Sequence, residues 1–291
     1  MLKNLKYIIE YIPLKVFYLI CSFLPLEKAS SFGARLVSFI GPFLKKSKIA
    51  KTQIRERLPH LSEEDINRHI KDMWRNLGRV LAEYPHLRTL TDPKNKYVEF
   101  HDPHGVMDAL KQGQKTFFFS AHMANWDLLQ SFVYMHFNES FTGIYRAPNN
   151  PYARKLLAKM RQVAPHLETI AKSSKGARDL IKHMQDGKHI GLLVDQKYNQ
   201  GMAVPFLGQE AMTSTSFISL CQKYEYQLVP SHLVRIEECH FKLTLEKPIQ
   251  LFNEKESKRN EYDVMCEIHG HVESWIKQNP AQWIWMHRRW G

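Results

Sequence analysis

Between about residues 97 and 194 the chain alternates short apolar runs with amphipathic stretches, and this constrains the fold more than any other feature. Thr116–Ser120 (TFFFS) reads as a buried strand, Trp126–Phe137 as a helix and Phe141–Tyr145 as a strand. Tyr152–Val163 then reads as a helix opened by Pro151, Leu167–Ala171 as a strand, Lys175–Gln185 as a helix closed by Gly187, and Ile190–Val194 (IGLLV) as a strand. Strands separated by helices of this length pair in parallel, because the helix is the crossover that returns the chain to the same end of the sheet. Further on, Ser214–Lys223 and Tyr262–Lys277 are helical, while Gln227–Ile236 and Phe241–Glu246 read as two strands joined by a turn near Glu237–Cys239. The expected class is α/β, a mostly parallel mixed sheet flanked by helices. Upstream, Ser62 followed by Glu63-Glu64-Asp65 marks a helix start. Ile66, Ile70, Trp74, Leu77, Leu81 and Tyr84 recur at helical spacing until Pro85. No repeat or linker divides this body, so the expected organisation is a membrane-anchoring and basic helical region over residues 1–60 and one α/β domain over 61–291.

The anchor reading rests on Tyr7–Leu26, YIIEYIPLKVFYLICSFLPL. It is apolar and aromatic but interrupted by Glu10, Pro13 and Lys15. A spanning helix needs about 20 mostly apolar residues, so a helix lying in the membrane interface competes with a marginal span, and a buried first helix is the third reading. Lys45, Lys46, Lys48, Lys51, Arg55 and Arg57 follow. They suit anionic headgroups on the cytoplasmic side, or a solvated helix face. Lys and Arg outnumber Asp and Glu by 41 to 29, a formal charge of +12, which points to an acidic partner: nucleic acid, anionic lipid or an acidic protein. No nucleic-acid motif or stacking platform is evident. The four cysteines form no CxxC pair, which argues against a zinc site or a disulfide scaffold.

In open α/β sheets ligands bind where strands end and helices begin, so the segments after Ser120, Tyr145 and Val194 are the places to look for chemistry. The first reads Ser120-Ala121-His122-Met123-Ala124-Asn125-Trp126-Asp127. Asn125 can cap the following helix, leaving His122 in the loop and Asp127 in the first helical turn. Histidine suits proton removal from a hydroxyl near neutral pH, and a carboxylate on its other nitrogen fixes the tautomer. The spacing by itself favours a plainer reading, a His bonded to a backbone carbonyl and an Asp facing the helix dipole. No G-x-S-x-G elbow is present, which argues against a serine esterase.

His122–Asp127 (HMANWD) resembles the H-x4-D/E motif of the lysophospholipid acyltransferase superfamily. Its Asn-Trp before the acid is similar to bacterial lipid A biosynthesis acyltransferases of the lauroyl/myristoyl type. Three later blocks agree in order: Tyr145–Pro151 (YRAPNNP), Leu193–Gln196 (LVDQ) with Val204–Gly208 (VPFLG), and Gln282–Trp290 (QWIWMHRRW). The resemblance implies a glycerolipid acyltransferase-like fold and acyl transfer from an acyl carrier protein to a hydroxyl of a lipid A precursor. It places the reaction at the cytoplasmic face of the bacterial inner membrane, without metal or cofactor. It implies His122 as base and Asp127 as its orienting acid. It implies Arg146 near the acceptor's phosphate or sugar, Asp195 and Gln196 at the acceptor site, and Asn125 beside them. Met123-Ala124 and Lys197-Tyr198-Asn199-Gln200 depart from the family pattern, which leaves another glycolipid or a lysophospholipid open as acceptor. Lipid binding without catalysis is also left open.

Other residues carry competing readings. Arg178 beside Gly176 can bind a phosphate at its helix start, or be a solvated arginine. His101 and His104 flank Pro103 in a loop that lacks the further ligands of a metal set. Trp283, Trp285 and Trp290 suit either an interfacial belt or core packing.

Overall fold

A computed structural model describes residues 2–145, 147–161 and 167–291. The chain opens with α1 (Leu2–Phe23), α2 (Leu26–Ile40), α3 (Lys45–Arg57), α4 (Glu63–Glu83) and α5 (Leu87–Thr91). It continues with β1 (Val98–His101), α6 (Val106–Lys111), β2 (Thr116–Ser120), α7 (Leu128–Phe137), β3 (Phe141–Tyr145) and α8 (Pro151–Arg161). Then come β4 (Thr169–Ala171), α9 (Ser174–Gln185), β5 (His189–Leu193), β6 (Met202–Phe206), β7 (Gln209–Thr213) and α10 (Ser216–Tyr224), followed by β8 (Gln227–Glu237), β9 (His240–Leu245) and α11 (Glu261–Gln278).

Seven strands form one sheet in the order β1-β9-β8-β2-β5-β3-β4. All neighbours are parallel except β8 and β9, so the α/β class with a mostly parallel mixed sheet is observed. Phe117, Phe118 and Phe119 are fully buried, as a central parallel strand covered on both faces requires. One face carries Phe117, Phe119 and Ile190 into a core with α10 and α11. The other carries Phe118 and Phe141 against α7 and α8. Two strand features went unread in the sequence, β1, short and paired with β9, and the β6–β7 hairpin, which stands apart from the main sheet, as did the short helices α5 and α6.

The helix expected from Trp126 begins at Leu128. Asn125 does not cap it, since its side-chain amide is buried and bonded to Glu83. The α4 start is as its sequence reads: Ser62 and Asp65 form a reciprocal capping box. Gly33 of α2 and Gly78 of α4 let the two backbones meet, for a Cβ on either would lie 2.2–2.3 Å from the other's carbonyl oxygen. The three C-terminal tryptophans are buried, so core packing describes them and an interfacial belt does not. Arg289 is fully buried beside them, donating to the Met212 carbonyl and the Thr213 hydroxyl.

No helix among the described residues is long and apolar enough to cross a membrane. α1 is nevertheless two-faced. Its exposed apolar residues are Leu5, Ile8, Ile9, Ile12, Val16, Leu19, Ile20 and Phe23, the last 86% exposed. At 3.6 residues per turn they fall within an arc of about 120° along a helix about 33 Å long. Lys6, Glu10 and Lys15 fall outside that arc. On the opposite face Tyr11, Leu14 and Tyr18 pack into the domain core. The Asn150 amide donates to the Tyr7 carbonyl at 2.8 Å and ties α1 to the start of α8. Of the basic cluster, Lys51 and Arg55 pair with Glu63 and Arg57 with Glu56, while Lys45, Lys46 and Lys48 are exposed.

Candidate active site

β2 and β5 are parallel neighbours in a register that places Ser120 opposite Leu193. Two residues past that pair the strands run out, and there His122 and Asp195 stand side by side. The Asp195 carboxylate accepts three N–H groups. Its Oδ1 takes the His122 ring at Nδ1, 2.8 Å away, and its Oδ2 takes the His122 backbone N–H at 2.9 Å and the Trp283 indole at 2.7 Å. Asp195 is nearly inaccessible to solvent. Burial by itself would raise its pKa, but the His122 ring and these donors hold the carboxyl well below the usual carboxylate range. An ionised Asp195 fixes the proton on Nδ1 and leaves Nε2 as the acceptor. At Nε2 the Gln196 amide donates at 3.3 Å. The rings of Trp126 and His287 flank the imidazole at 5.3 and 5.8 Å.

The ring's carboxylate partner is therefore Asp195, where the motif implied Asp127. Asp127 stands at the N-cap position of α7 and is engaged elsewhere: its Oδ2 accepts from the Tyr84 hydroxyl and from Arg161 Nε, the latter at 2.9 Å. Strand register decides the matter, because it brings the end of β5 to His122 regardless of what lies four residues further along the loop. Tyr84 is buried, and burial together with the Asp127 carboxylate raises its phenol well above the ordinary range. Burial works against the Arg161 charge, yet Asp127 and Tyr84 hold its pKa above the ordinary value. The guanidinium also lies 5.4 Å over the Tyr145 ring.

The loop between β2 and α7 is clamped from below. Ala124 sits at φ +48°, an uncommon conformation for a residue with a Cβ. Its N–H donates to the Gln282 carbonyl and its carbonyl accepts from Asn76 of α4. Ile284 donates to the His122 carbonyl. Beneath it lies a buried ion pair: Glu83, with no exposed surface, accepts from Arg235 at 2.6 and 3.0 Å, from Ser30 at 2.7 Å and from Asn125 at 2.9 Å. Asn125 is thus buried and bonded to this ion pair, and it is not among the residues that line the neighbouring cavity. Of the tail block, Trp283 reaches the site through Asp195, His287 stands beside the imidazole, and Gln282 and Ile284 bond to the loop backbone.

His122, Asp127, Arg161 and Gln196 line the mouth of a cavity of about 160 Å³ that runs down the sheet face past Leu193, Gly191 and Gly143. Arg178 is exposed on α9 and is not part of its wall, so the phosphate reading of that residue finds no support in the site. Arg146 lies outside the described residues. The sequence reading gives Arg161 and Glu83 no role, Tyr84 only a place in the α4 stripe, and Trp283 only packing or an interfacial belt. Only Trp283 had a signal there, its place in the C-terminal block. Among the described residues no group of three or more His, Cys, Asp or Glu side chains is placed to hold a metal ion.

The arrangement can therefore take a proton at Nε2 of an oriented imidazole beside a half-apolar cavity. Comparison with curated proteins returns no match. The family model described as bacterial lipid A biosynthesis acyltransferase matches residues 1–291. The chain belongs to the bacterial lipid A biosynthesis acyltransferase family.

Proposed function

We propose that this acyltransferase moves a fatty-acyl group from an acyl carrier protein thioester to a hydroxyl of a lipid A precursor, at the cytoplasmic face of the bacterial inner membrane. The observation that carries the proposal is the His122 ring, held through Nδ1 by Asp195 with Nε2 on the cavity wall beside Gln196. In the reaction, Nε2 takes the hydroxyl proton as the oxygen attacks the thioester carbonyl. The C–S bond then breaks, and the departing thiolate recovers the proton from the imidazolium. Asp195 stabilises that imidazolium and keeps the ring in place. Gln196 offers an amide donor near the reacting oxygens. Arg161, charged and oriented by Asp127, favours an anionic acceptor at the mouth, with Arg146 as a second candidate for the same duty.

Two surface features support the setting. The uncharged stripe of α1 suits burial in the headgroup boundary, with the helix lying flat. Phe39, Ile40, Phe43 and Leu44, also exposed, directly precede Lys45, Lys46 and Lys48, a pairing of apolar and basic groups suited to an anionic leaflet. The net charge of +12 likewise suits an acidic carrier protein.

The test is transfer by the purified protein from acyl carrier thioester, with a lipid A precursor, another glycolipid and a lysophospholipid offered in parallel and products read by mass spectrometry. A precursor that gains one acyl chain, and a His122→Ala protein that adds none, are the expected results. Preference for either of the other acceptors, or full turnover without the imidazole, would overturn the assignment.

A further inference from the structure

A buried arginine ordinarily needs an anion in contact, because a lone charge is costly to take out of water. Arg235 has Glu83 and Arg161 has Asp127. Among the described residues Arg289 is the buried arginine that lacks one. It has no exposed surface, yet its guanidinium donates only to neutral groups: the Met212 carbonyl at 2.8 Å, the Thr213 hydroxyl and His269 Nε2 at 3.3 Å. Its Nε has no partner. His269 cannot supply the missing charge. Its Nδ1–H donates to the Pro205 carbonyl at 2.6 Å, which leaves Nε2 as the acceptor of a neutral ring, and burial pushes its pKa down to about 4.

Asp195 is the converse case. It is buried and ionised, and with His122 in its base form its three partners are neutral: the ring, the His122 backbone N–H and the Trp283 indole. What separates the two charges is aromatic. The Arg289 guanidinium lies 5.1 Å over Phe206, the Phe206 ring stands 6.0 Å from Trp283 and nearly perpendicular to it, and the Trp283 indole reaches Asp195. Trp290 closes the group at 5.7 Å from Phe206 and 6.4 Å from Trp283. All three rings are buried, and a layer of this kind screens charge weakly. Asp195 acts on Arg289 in the stabilising direction, against the burial that draws the guanidinium down to about 10.

We infer that Arg289 is the counter-charge of Asp195, a positioning residue that holds the carboxylate ionised and keeps the His122 ring from retaining a proton. It does so from behind Trp283, and it does not line the cavity. A buried carboxylate by itself draws a proton to the imidazole beside it, and a protonated ring cannot act as a base. A cation behind the carboxylate opposes that pull. The other titratable or charged groups around the ring are His287 of the tail and, along the cavity, Asp127, Arg161, Tyr145 and Lys172. Around Arg289 they are His269 of α11 and, across Trp290, Arg57 of α3. Substituting Arg289 leaves all of these in place. The effect on rate rests on the acyl-transfer reading; the effect on stability does not.

The experiment joins the pH profile of kcat/KM for acyl transfer, in wild type, Arg289→Met and Arg289→Lys, to urea melts of wild type, Asp195→Asn, Arg289→Met and the double variant. Gln53 holds the tail through its backbone, accepting from the Arg289 N–H at 2.9 Å and donating to the His287 carbonyl at 2.7 Å, so these anchors survive the substitutions. Arg289→Met should move the acid limb of the profile to higher pH by about one unit, about a tenfold loss at a pH on that limb. Arg289→Lys keeps a cation and should stay near the wild-type limb. In the melts the double variant should lose less than the two single losses combined, because each single substitution strands a buried charge and the double strands none. Where Arg289→Met by itself does not fold, recovery of folding in the double variant gives the same reading. A uniform loss at every pH in folded Arg289→Met, or strictly additive losses in the melts, would make the residue structural only and overturn the inference. A wild type that transfers from no thioester would instead remove the acyl-transfer reading, and the melts would still decide the charge pairing.

Discussion

Replacing Asp195 by Asn tests the catalytic geometry most sharply, because the structure dictates how the amide must sit. Oδ2 of Asp195 faces two donors, the His122 backbone N–H and the Trp283 indole, whereas Oδ1 faces only the ring at Nδ1. An asparagine keeps those two donors satisfied only by placing its carbonyl oxygen at the Oδ2 position. The reverse orientation would set an NH2 against two N–H groups in a buried site, at about 1–3 kcal/mol for each unsatisfied group. The NH2 therefore turns to Nδ1, which must accept, and the ring proton moves to Nε2. The base is then blocked at the nitrogen that should take the proton. General base catalysis contributes about 10² to 10⁴ in rate, and the same tautomer error in a Ser-His-Asp triad costs about 10⁴. Asp195→Asn should thus lower kcat by about two to four orders of magnitude, with acceptor KM little changed. The assay is steady-state acyl transfer at saturating donor. Asp127→Asn removes the charge beside Arg161 and leaves the ring tautomer alone, so its loss should fall more on acceptor KM. Near-normal kcat for Asp195→Asn, together with collapse of kcat for Asp127→Asn, would refute the register argument and restore the motif's own pairing.

Trp283→Phe deletes one donor to the Asp195 carboxylate and should weaken its hold on the ring: kcat should fall by less than for Asp195→Asn, and the pH–rate profile should shift, whereas a purely structural role would lower yield without moving the profile. Because the folded-state pKa of Asp195 is depressed below its ordinary value of 3.8, its ionised form stabilises the fold above that value and loses this contribution as pH falls through the folded pKa. The stability gap between wild type and Asp195→Asn in urea melts should therefore be full at neutral pH and narrow only below about pH 4; a gap that widens on acidification would contradict the assignment. Arg235→Met strands the wholly buried Glu83 carboxylate and should cost about 3–5 kcal/mol, while Glu83→Leu combined with Arg235→Met should recover much of the loss; equal destabilisation of single and double variants would show that packing, not charge, holds this position. Ile12→Lys with Val16→Lys places charges in the exposed stripe of α1 and should abolish sedimentation with anionic vesicles while leaving the melting temperature within a few degrees; undiminished vesicle binding would rule the stripe out as the docking face.

Much of the fold was legible because it depends on local pattern. The βα alternation, the capping box at Ser62 and the buried run Phe117–Phe119 all announce themselves within a few residues. The site was legible in its parts: His122, Asp195 and Gln196 all follow strand ends named from the sequence. What could not be read was which strand lies beside which. Linear proximity favours Asp127 as the partner of His122, and only the β2–β5 adjacency, which joins residues 73 positions apart, favours Asp195. Arg161 and Glu83 were hidden for the same reason, since each is an ordinary charged residue on an amphipathic helix until its distant partner is known. Asn125 misled because an asparagine before a helix usually caps it, and here a buried glutamate claims the side chain instead.

The two faces of α1 answer to different neighbours. Tyr11, Leu14 and Tyr18 meet a solid protein wall, where each shape must match the shapes opposite. The outer stripe, if it lies in lipid, meets a fluid that conforms to whatever is presented. Over evolutionary time the inner residues should be pinned in identity, while Leu, Ile, Val and Phe exchange freely along the outer line. Sequences of close relatives, once compared, should carry that one-sided drift as a record of which face has been wet by bilayer.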